Sequence, residues 1–348
     1  MRILVIGSGG REHALLKALA QSSAVSALFA APGNPGTAAL GTNVDLASED
    51  LDGLVAFATD EDIDLTIVGP EQPLVDGIVD RFEEAGLRIV GPSADAARLE
   101  GSKAFADQFM ERHGIPTANF RVFAADEYDE ASAHLDEVGA PIVVKADGLA
   151  AGKGAFVCST QEEAHDALDE IVQDRAFGDA GDQVVIEEKM EGEEVSVLAL
   201  TDGTHYVLLP PSRDHKPIGE GGTGPNTGGM GAFAPAPIVD GSLLTRICRE
   251  IIEPTLQGMQ EEGTPYRGIL YCGLMVTPDG PKVVEYNCRL GDPEAQVILP
   301  LVESDIVEVL DSLADGELQG GSLRTAPGSA ACVVLASDGY PIEYETGF

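Results

Sequence analysis

The sequence predicts a mixed α/β and α+β protein, with an N-terminal parallel α/β domain followed by a two-part α+β region. Residues 1–100 alternate between strand-like and helix-like stretches, a pattern typical of a parallel sheet covered by helices. Residues 120–190 indicate a small α/β unit, and the predicted strands lengthen from residue 194 onward. A length of 348 residues, at roughly 150 residues per domain, favours two or three domains.

In the first 100 residues, short apolar runs predict strands and spaced apolar residues predict helices. The strands are expected at 3–6, 28–31, 65–68 and 87–90, and the helices at 11–20 and 75–85. A linker follows at about 91–101. Ser102 then serves as the N-cap of a helix that Gly114 ends.

The remaining elements follow the same signals. Strands are expected at 141–145, 153–158, 183–187, 195–200, 206–209, 269–276, 282–288 and 330–335, with helices near 162–173 and 242–261. The glycine-rich stretch 219–231 permits two interpretations, a linker or a substrate loop whose backbone approaches a ligand.

Composition excludes several classes of protein. No apolar run approaches the ~18 residues of a membrane helix, and the first residues form a strand and not a signal peptide. Five dispersed cysteines favour reduced thiols in a cytoplasm over a disulfide framework or a zinc site.

Acidic residues outnumber basic ones, 59 against 21, for a formal charge of −38. Such a polyanion repels nucleic acid and anionic membranes. The acidic residues are spread along the chain, which favours a solvated surface of the halophilic type over a patch for one basic partner. Only seven lysines remain, and anion binding is a reason to keep them.

The N-terminal run Gly7-Ser-Gly-Gly-Arg-Glu12 invites a dinucleotide-binding interpretation, which the sequence disfavours. Glu12 stands where the third glycine should be, and no acidic residue follows the strand at 28–31. The turn is either a phosphate site at a helix N-terminus or a tight turn without a ligand.

A stronger signal lies in the segment from Lys145 to Gly154, where glycines and two lysines follow a strand. The spacing does not match a Walker A loop, so we interpret it as a hairpin whose tip closes over phosphates. Lys103 occupies the first turn of its helix, where the helix dipole disfavours a cation, and a bound phosphate would reverse that penalty.

The segment 282–289 reads KVVEYNCR. Along a strand, Glu285, Asn287 and Arg289 share one face, and Val284, Tyr286 and Cys288 share the other. A carboxylate and an amide oxygen suit Mg²⁺, and the arginine suits a phosphoryl group or a carboxylate.

Together these motifs resemble the glycinamide ribonucleotide synthetases, a family of ATP-grasp enzymes. The resemblance runs along the whole chain and is carried by GSGGREHA (7–14), APGNPGT (31–37), TIVGPEQPLV (66–75), LEGSKAF (99–105), VVKADGLAAGKG (143–154), IEEKMEGEE (186–194), DHKPIGEGGTGPNTGGMGAF (214–233) and EYNCRLGDPEAQ (285–296).

The resemblance implies an N-terminal domain at 1–100, an ATP-grasp central domain at 101–120 and 191–327, and a small lid at 121–190. Residues 328–348 are expected to begin a C-terminal domain that is truncated here. It also implies a cytoplasmic enzyme, a monomer or weak dimer, that joins glycine to 5-phosphoribosylamine through glycyl phosphate. ATP and Mg²⁺, or Mn²⁺, are the expected cofactors.

Site residues follow from the same resemblance. Those expected to bind ATP are Lys103, Lys145, Gly148, Gly152, Lys153, Gly154, Glu187, Lys189 and Glu194. Glu285 and Asn287 are the expected metal ligands. The catalytic candidates are Arg289, Asp214 and Asp292, and the substrate candidates are Gly9, Gly10, Asn34, Lys216 and Arg289.

Three alternatives stay open at this point. A nicotinamide dehydrogenase is disfavoured by the missing glycine and acid. A nucleotide-binding protein without catalysis would keep every motif, and another ATP-grasp ligase of purine synthesis is the nearest enzyme alternative.

Overall fold

A computed structural model describes residues 1–150, 154–321 and 323–346. The first hundred residues form a five-stranded parallel sheet in the order β3-β2-β1-β4-β5. Its elements are β1 Arg2–Gly7, α1 Gly10–Leu19, β2 Ala27–Pro32, α2 Pro35–Ala38, β3 Thr42–Asn43, α3 Leu51–Asp60, β4 Leu65–Val68, α4 Glu71–Val75, α5 Ile78–Glu84, β5 Ile89–Val90 and α6 Ala94–Gly101.

The parallel sheet confirms the fold predicted for this region, with one correction. The helix expected at 75–85 is confirmed as α5 over Ile78–Glu84, but its predicted start at residue 75 is wrong, because Gly77 separates α5 from α4. Gly77 has φ +86°, a left-handed conformation that a helix interior does not contain. The last strand of this region is also shorter than expected, beginning at Ile89 and not at residue 87.

The helix predicted after Ser102 is confirmed as α7 Lys103–His113. The Ser102 side chain accepts a hydrogen bond from the Phe105 amide, and Gly114 ends the helix with φ +64°. This helix leads from the N-terminal sheet to a smaller four-stranded antiparallel sheet.

That smaller sheet has the order β6-β9-β7-β8. Its elements are β6 Phe120–Ala124, α8 Tyr128–Val138, β7 Ile142–Ala146, β8 Ala155–Cys158, α9 Gln161–Leu168 and β9 Gln183–Glu188. Helix α9 continues as a π-helical turn over Asp169–Gln173, so that the predicted helix at 162–173 is confirmed in position.

The central region contains a second four-stranded sheet, β11-β10-β16-β17, a three-stranded sheet, β12-β15-β18, and the hairpin β13-β14. The elements are β10 Glu193–Thr201, β11 Tyr206–Leu208, β12 Arg213–Asp214, β13 Pro217–Gly219, β14 Thr223–Asn226, β15 Gly231–Ala234, α10 Gly241–Ile247, α11 Glu253–Glu261, β16 Gly268–Thr277, β17 Gly280–Asn287, α12 Ala295–Ile298, α13 Ile306–Ala314 and β18 Ala330–Val333.

The hairpin occupies most of the glycine-rich stretch, so an unstructured linker is wrong there. The single helix expected at 242–261 is divided by a π-helical turn over Cys248–Ile252. Strand β18 ends two residues before the predicted boundary at 335.

Hydrophobic cores divide the molecule into two parts. Two large clusters each combine residues of the N-terminal sheet with residues of the central sheets, for example Leu4 with Val197 and Ile3 with Leu198. The unit at 120–190 has a separate core around Leu135, Val144 and Ile186. We call this unit the lid, and the rest of the described chain the body.

All five cysteines are free thiols, as the sequence predicts. Within the described part of the chain, no helix combines the length and apolar character needed to cross a membrane.

Candidate active site

The boundary between lid and body is polar, and helix α7 forms its centre. Asp147, at the end of lid strand β7, accepts hydrogen bonds at the N-terminus of α7 from the Ala104 amide (3.0 Å) and the Ser102 hydroxyl (3.1 Å). Lys103 Nζ donates to the Gly148 carbonyl at 2.7 Å. The Asp147 carboxylate therefore supplies the negative charge that the dipole of α7 favours, and Lys103 reaches across to the lid.

A second lysine, on lid strand β7, is buried beside a carboxylate. Lys145 Nζ lies 2.7 Å from Glu187 Oε2, and both side chains are less than a tenth exposed. Lys145 also donates to the Val284 carbonyl of the body at 3.3 Å. Burial alone would lower the pKa of Lys145, but the charge of Glu187 raises it above its ordinary value, so the ammonium stays charged.

Glu285 of β17 lies among three cations. Lys216 Nζ is 3.2 Å from Glu285 Oε1, and Lys145 and Lys103 lie near enough to act on the same carboxylate. Lys216 is the main cause that lowers the pKa of Glu285 to about 2, and Lys145 and Lys103 add to the effect against the opposing influence of burial. Glu285 in turn is the main cause that raises the pKa of Lys216. Three positive charges around one carboxylate form a site suited to polyanionic phosphates.

The local structure of β17 explains how these groups come together. Glu285 pairs with Gly273 and Val283 with Leu274, so that Val284 has no residue opposite it. The sequence predicted that Val284 shares a face with Tyr286 and Cys288. Because of the bulge, this prediction is wrong for Val284. Tyr286 and Cys288 do face the core, and the freed Val284 carbonyl accepts from Lys145.

Arg289 joins the end of β17 to the N-terminal domain. Its guanidinium donates to Asn287 Oδ1 (3.0 Å) and lies 2.9 Å from Glu100 and 3.2 Å from Glu71. Burial would lower the pKa of Arg289, but Glu100 and then Glu71 raise it above its usual range. Glu71 and Glu100 could not be recognised as site residues from the sequence, because each lies on its own helix far along the chain from Arg289.

The donors available to Mg²⁺ are Glu285, which is ionised at neutral pH, and the Asn287 amide oxygen. Both are hard oxygens of the kind that Mg²⁺ prefers. Within residues 1–150, 154–321 and 323–346 no group of three or more His, Cys, Asp or Glu side chains is placed to hold a metal ion. The two residues therefore fit a magnesium ion only together with phosphate oxygens and water, as is usual for Mg²⁺ bound with nucleotides.

The glycine turn before α1 is held by carboxylates. The Gly9 amide donates to Glu12, and the Arg11 amide donates to Asp292 Oδ2 at 3.0 Å. A Cβ atom at Gly10 would lie 2.5 Å from the Gln296 amide nitrogen. Side chains therefore approach the backbone of Gly9 and Gly10 so closely that a Cβ atom there would displace them. The hydrogen bond to Asp292 connects the central domain to the N-terminus of α1.

Asn34 fixes a neighbouring loop to the same turn. Its amide nitrogen donates to the carbonyls of Ser8 (2.9 Å) and Gly9 (3.1 Å), while its oxygen caps helix α2. The structure thus brings Gly9, Gly10 and Asn34 together at the carboxyl ends of β1 and β2, the edge at which open parallel sheets bind ligands.

A buried polar group lies next to Asp214. The Tyr271 hydroxyl donates to Glu294 Oε1 (2.7 Å) and is 2.8 Å from the Ser196 hydroxyl. Burial is the main cause that raises the pKa of Glu294, and the nearby Asp214 carboxylate raises it further. Glu294 was not singled out as a site residue, although it belongs to the same turn as Asp292 in the sequence.

The remaining predicted residues lie along the boundary between lid and body. Lys189 is exposed on the segment that joins β9 to β10, and Glu194 is exposed as the second residue of β10. Gly148 and Gly154 lie between β7 and β8. Gly148 has φ +101°. Gly152 and Lys153 lie outside the described residues.

A two-part fold with lysines directed into the boundary between its parts defines an ATP-grasp protein. Solved structures of low sequence identity share this fold. N5-carboxyaminoimidazole ribonucleotide synthetase from Thermus thermophilus is 23% identical, with a TM-score of 0.69 over 97% of this chain and 83% of that one. Biotin carboxylase from Campylobacter jejuni is 18% identical, with a TM-score of 0.72 over 98% and 77% of the two chains.

The chain belongs to the phosphoribosylglycinamide synthetase family. Residues 1–100 match the N domain of that family, and residues 101–295 match its ATP-grasp (A) domain. The phosphoribosylamine–glycine ligase of Xanthomonas campestris is 53% identical over 100% of this chain and 81% of its own length. The Chlorobaculum tepidum ligase is 52% identical, covering 100% and 82%.

The solved structure of phosphoribosylamine–glycine ligase from Thermotoga maritima is 35% identical in sequence, with a TM-score of 0.85 over 99% of this chain and 83% of that one. The family is therefore supported by the fold as well as by the sequence.

Proposed function

We propose that this protein joins glycine to 5-phosphoribosylamine with consumption of ATP, giving glycinamide ribonucleotide, ADP and phosphate. The observation that carries the proposal is the 53% identity to a phosphoribosylamine–glycine ligase over the whole chain. The chemistry of the site supports it, because cations for a nucleotide and an arginine for a carboxylate all contact residues of strand β17.

ATP binds between lid and body. Lys103 and Lys145 hold the α- and β-phosphates, the backbone at Gly148 and Gly154 covers them, and the backbone at 187–190 meets the adenine. Lys189 and Glu194 lie at the nucleotide end, where Glu194 reaches the ribose. The Glu187 carboxylate keeps Lys145 charged and in place, as the 2.7 Å contact indicates. Glu285 and Asn287 are the residues that would hold Mg²⁺, which neutralises charge on the transferring phosphoryl group.

The first step activates the glycine carboxylate. One carboxylate oxygen attacks the γ-phosphorus, the bond to the bridging oxygen breaks, and ADP leaves with that bond's electron pair. Arg289 orients the carboxylate through its planar guanidinium. Asp214 and Glu294 form an acidic pocket suited to the glycine ammonium group. The lid excludes water, which would otherwise hydrolyse the acyl phosphate.

The second step forms the amide. The amine of phosphoribosylamine attacks the glycyl carbonyl carbon, the amine loses a proton, and phosphate leaves with the oxygen that came from glycine. Gly9, Gly10, Asn34 and Lys216 are the residues we assign to this substrate and to glycine. Asp292 is assigned to the catalytic centre because it connects the N-terminal turn to the end of β17.

Several finer assignments belong to the same proposal. The domains are an N-terminal domain at 1–100, a central domain at 101–120 and 191–327, a lid at 121–190, and the start of a C-terminal domain at 328–348. The enzyme is cytoplasmic, which the five free thiols support, and is a monomer or weak dimer. The metal is Mg²⁺, with Mn²⁺ as an alternative ion for the same ligands.

The test is ADP release with glycine and phosphoribosylamine supplied separately and together, in the presence of Mg²⁺. Full turnover is expected only with both substrates. Equal turnover with formate or bicarbonate in place of glycine would favour another ATP-grasp ligase of purine synthesis. Tight ATP binding without any turnover would favour a nucleotide-binding protein without catalysis.

A further inference from the structure

An additional carboxyl group lies under the proposed phosphate site. Asp107 occurs one turn after Lys103 on α7 and is only 4% exposed. It lies within hydrogen-bonding reach of Glu187 on β9, the residue that holds Lys145. Among the described side chains, Asp107 Oδ2 and Glu187 Oε1 are both fully buried and have no hydrogen-bond partner.

Two buried carboxyl oxygens without a donor, on side chains that interact with each other, are unfavourable, because each has lost its water and gained no hydrogen bond. A single proton between them would satisfy both. Glu187 Oε2 already has a donor, because it lies 2.7 Å from the Lys145 ammonium. The charge arrangement therefore assigns the proton to Asp107.

The groups that face Asp107 support this assignment. They are Lys103 on its own helix, Glu187 on β9, Lys145 on β7 and Tyr286 on β17. Burial is the main cause that raises the pKa of Asp107 to about 8, the Glu187 charge adds to it, and the two lysines oppose it. A pKa in this range keeps most of the Asp107 carboxyl groups protonated at neutral pH.

We propose that Asp107 is a positioning residue of the ATP site, donating a hydrogen bond from its protonated carboxyl to Glu187 and so fixing Glu187 against Lys145. The inference rests on the proposed function, since Lys145 matters here as a phosphate ligand. When Asp107 loses its proton, a second negative charge lies beneath the phosphates and competes for Lys145. ATP affinity then falls as the pH rises above neutrality.

The experiment measures binding of a non-hydrolysable ATP analogue between pH 6.5 and 9.5 by calorimetry. For the native protein, we expect affinity to fall by up to about tenfold per pH unit above the pKa. Asp107→Asn keeps a donor and cannot ionise, so this alkaline loss should disappear. Asp107→Ala removes the donor and should bind more weakly than Asp107→Asn at every pH. Glu111→Gln, on the exposed side of the same helix, is the matched control and should follow the native profile.

A second measurement does not depend on binding. The infrared difference spectrum of the native protein minus Asp107→Asn, in which the signals of Glu294 and of other buried carboxyl groups cancel, should show the C=O stretch of a protonated carboxylic acid at pH 7 and lose it at high pH. A native profile in Asp107→Asn, or no protonated carboxyl signal, would overturn the inference. Absence of analogue binding in all variants, with the infrared signal present, would instead contradict the proposed nucleotide site.

Discussion

The lid and the N-terminal domain are attached to the central sheets by opposite means. The N-terminal sheet shares two apolar cores with the central region, in which Leu4 and Ile3 are fully buried. The lid has its own core and meets the body through polar contacts, among them Lys103 with Gly148 and Lys145 with Val284.

This difference separates the two halves of the site. An apolar core fixes its two sides with little freedom, whereas hydrogen bonds at a polar boundary can exchange with water or with a ligand. The residues proposed to bind glycine and phosphoribosylamine therefore lie on a rigid body. The residues proposed to bind the nucleotide lie where the lid can open and close, as water exclusion during phosphoryl transfer requires.

The largest expected effect is at the boundary itself. Glu285→Gln preserves the shape of the side chain but removes the charge that three lysines surround and that Mg²⁺ requires. Loss of several kcal/mol of charge stabilisation corresponds to a decrease in kcat of about a hundredfold or more, with a higher Mg²⁺ requirement. Steady-state ADP release measured against Mg²⁺ concentration checks this. Glu84→Gln, an exposed residue of α5, should behave as the native protein.

An intermediate effect is expected at Asp147, which caps α7 from the lid. Asp147→Ala removes two hydrogen bonds between lid and body, a loss of about 1 kcal/mol. Hydrogen exchange should become faster in residues 120–190 and stay unchanged in the N-terminal sheet, and the KM for ATP should rise.

Asp50→Ala is the matched control, because Asp50 caps α3 entirely within the body. Asp50→Ala should lower the free energy of unfolding by a similar amount, without changing hydrogen exchange in residues 120–190 or the KM for ATP. Equal changes in lid exchange for both variants would show that the boundary does not separate lid from body.

The smallest effect is expected at the ion pair between Lys282 on β17 and Glu188 at the end of the lid sheet, 3.0 Å apart and about a third exposed. Partly exposed pairs contribute at most about 1 kcal/mol. Lys282→Gln should raise the KM for ATP by less than about fivefold, and molar KCl should remove the difference from the native protein. Lys17→Gln, at an exposed position of α1, is the control. A loss of turnover in Lys282→Gln comparable to that of Glu285→Gln would contradict this account.

Sequence reasoning succeeded where the signal is local. The Ser102 cap, the Gly114 stop and the parallel alternation in the first hundred residues depend on neighbouring residues alone. It failed at Gly77, since a glycine is tolerated in a helix and its positive φ is not encoded in periodicity. The bulge at Val284 was not predicted either, because strict alternation assumes an unbroken register between the paired strands.

The site shows the same limit. Lys103, Lys145 and Glu285 could be singled out from their motifs, and the structure brings them together. Glu100, Asp107 and Asp147 gave no signal, because their roles depend on contacts with residues distant in the chain. The roles of the individual site residues and the domain boundaries stay predictions.

The most direct test of the central claim uses glycine labelled with ¹⁸O at both carboxylate oxygens, supplied with ATP, Mg²⁺ and phosphoribosylamine. If the glycine carboxylate attacks the γ-phosphate and phosphate is then displaced by the amine, each phosphate formed carries one ¹⁸O atom from glycine. The amide product retains the other. Phosphate released without ¹⁸O at the rate of ADP formation would show that the enzyme does not activate glycine in this way, and would contradict the account.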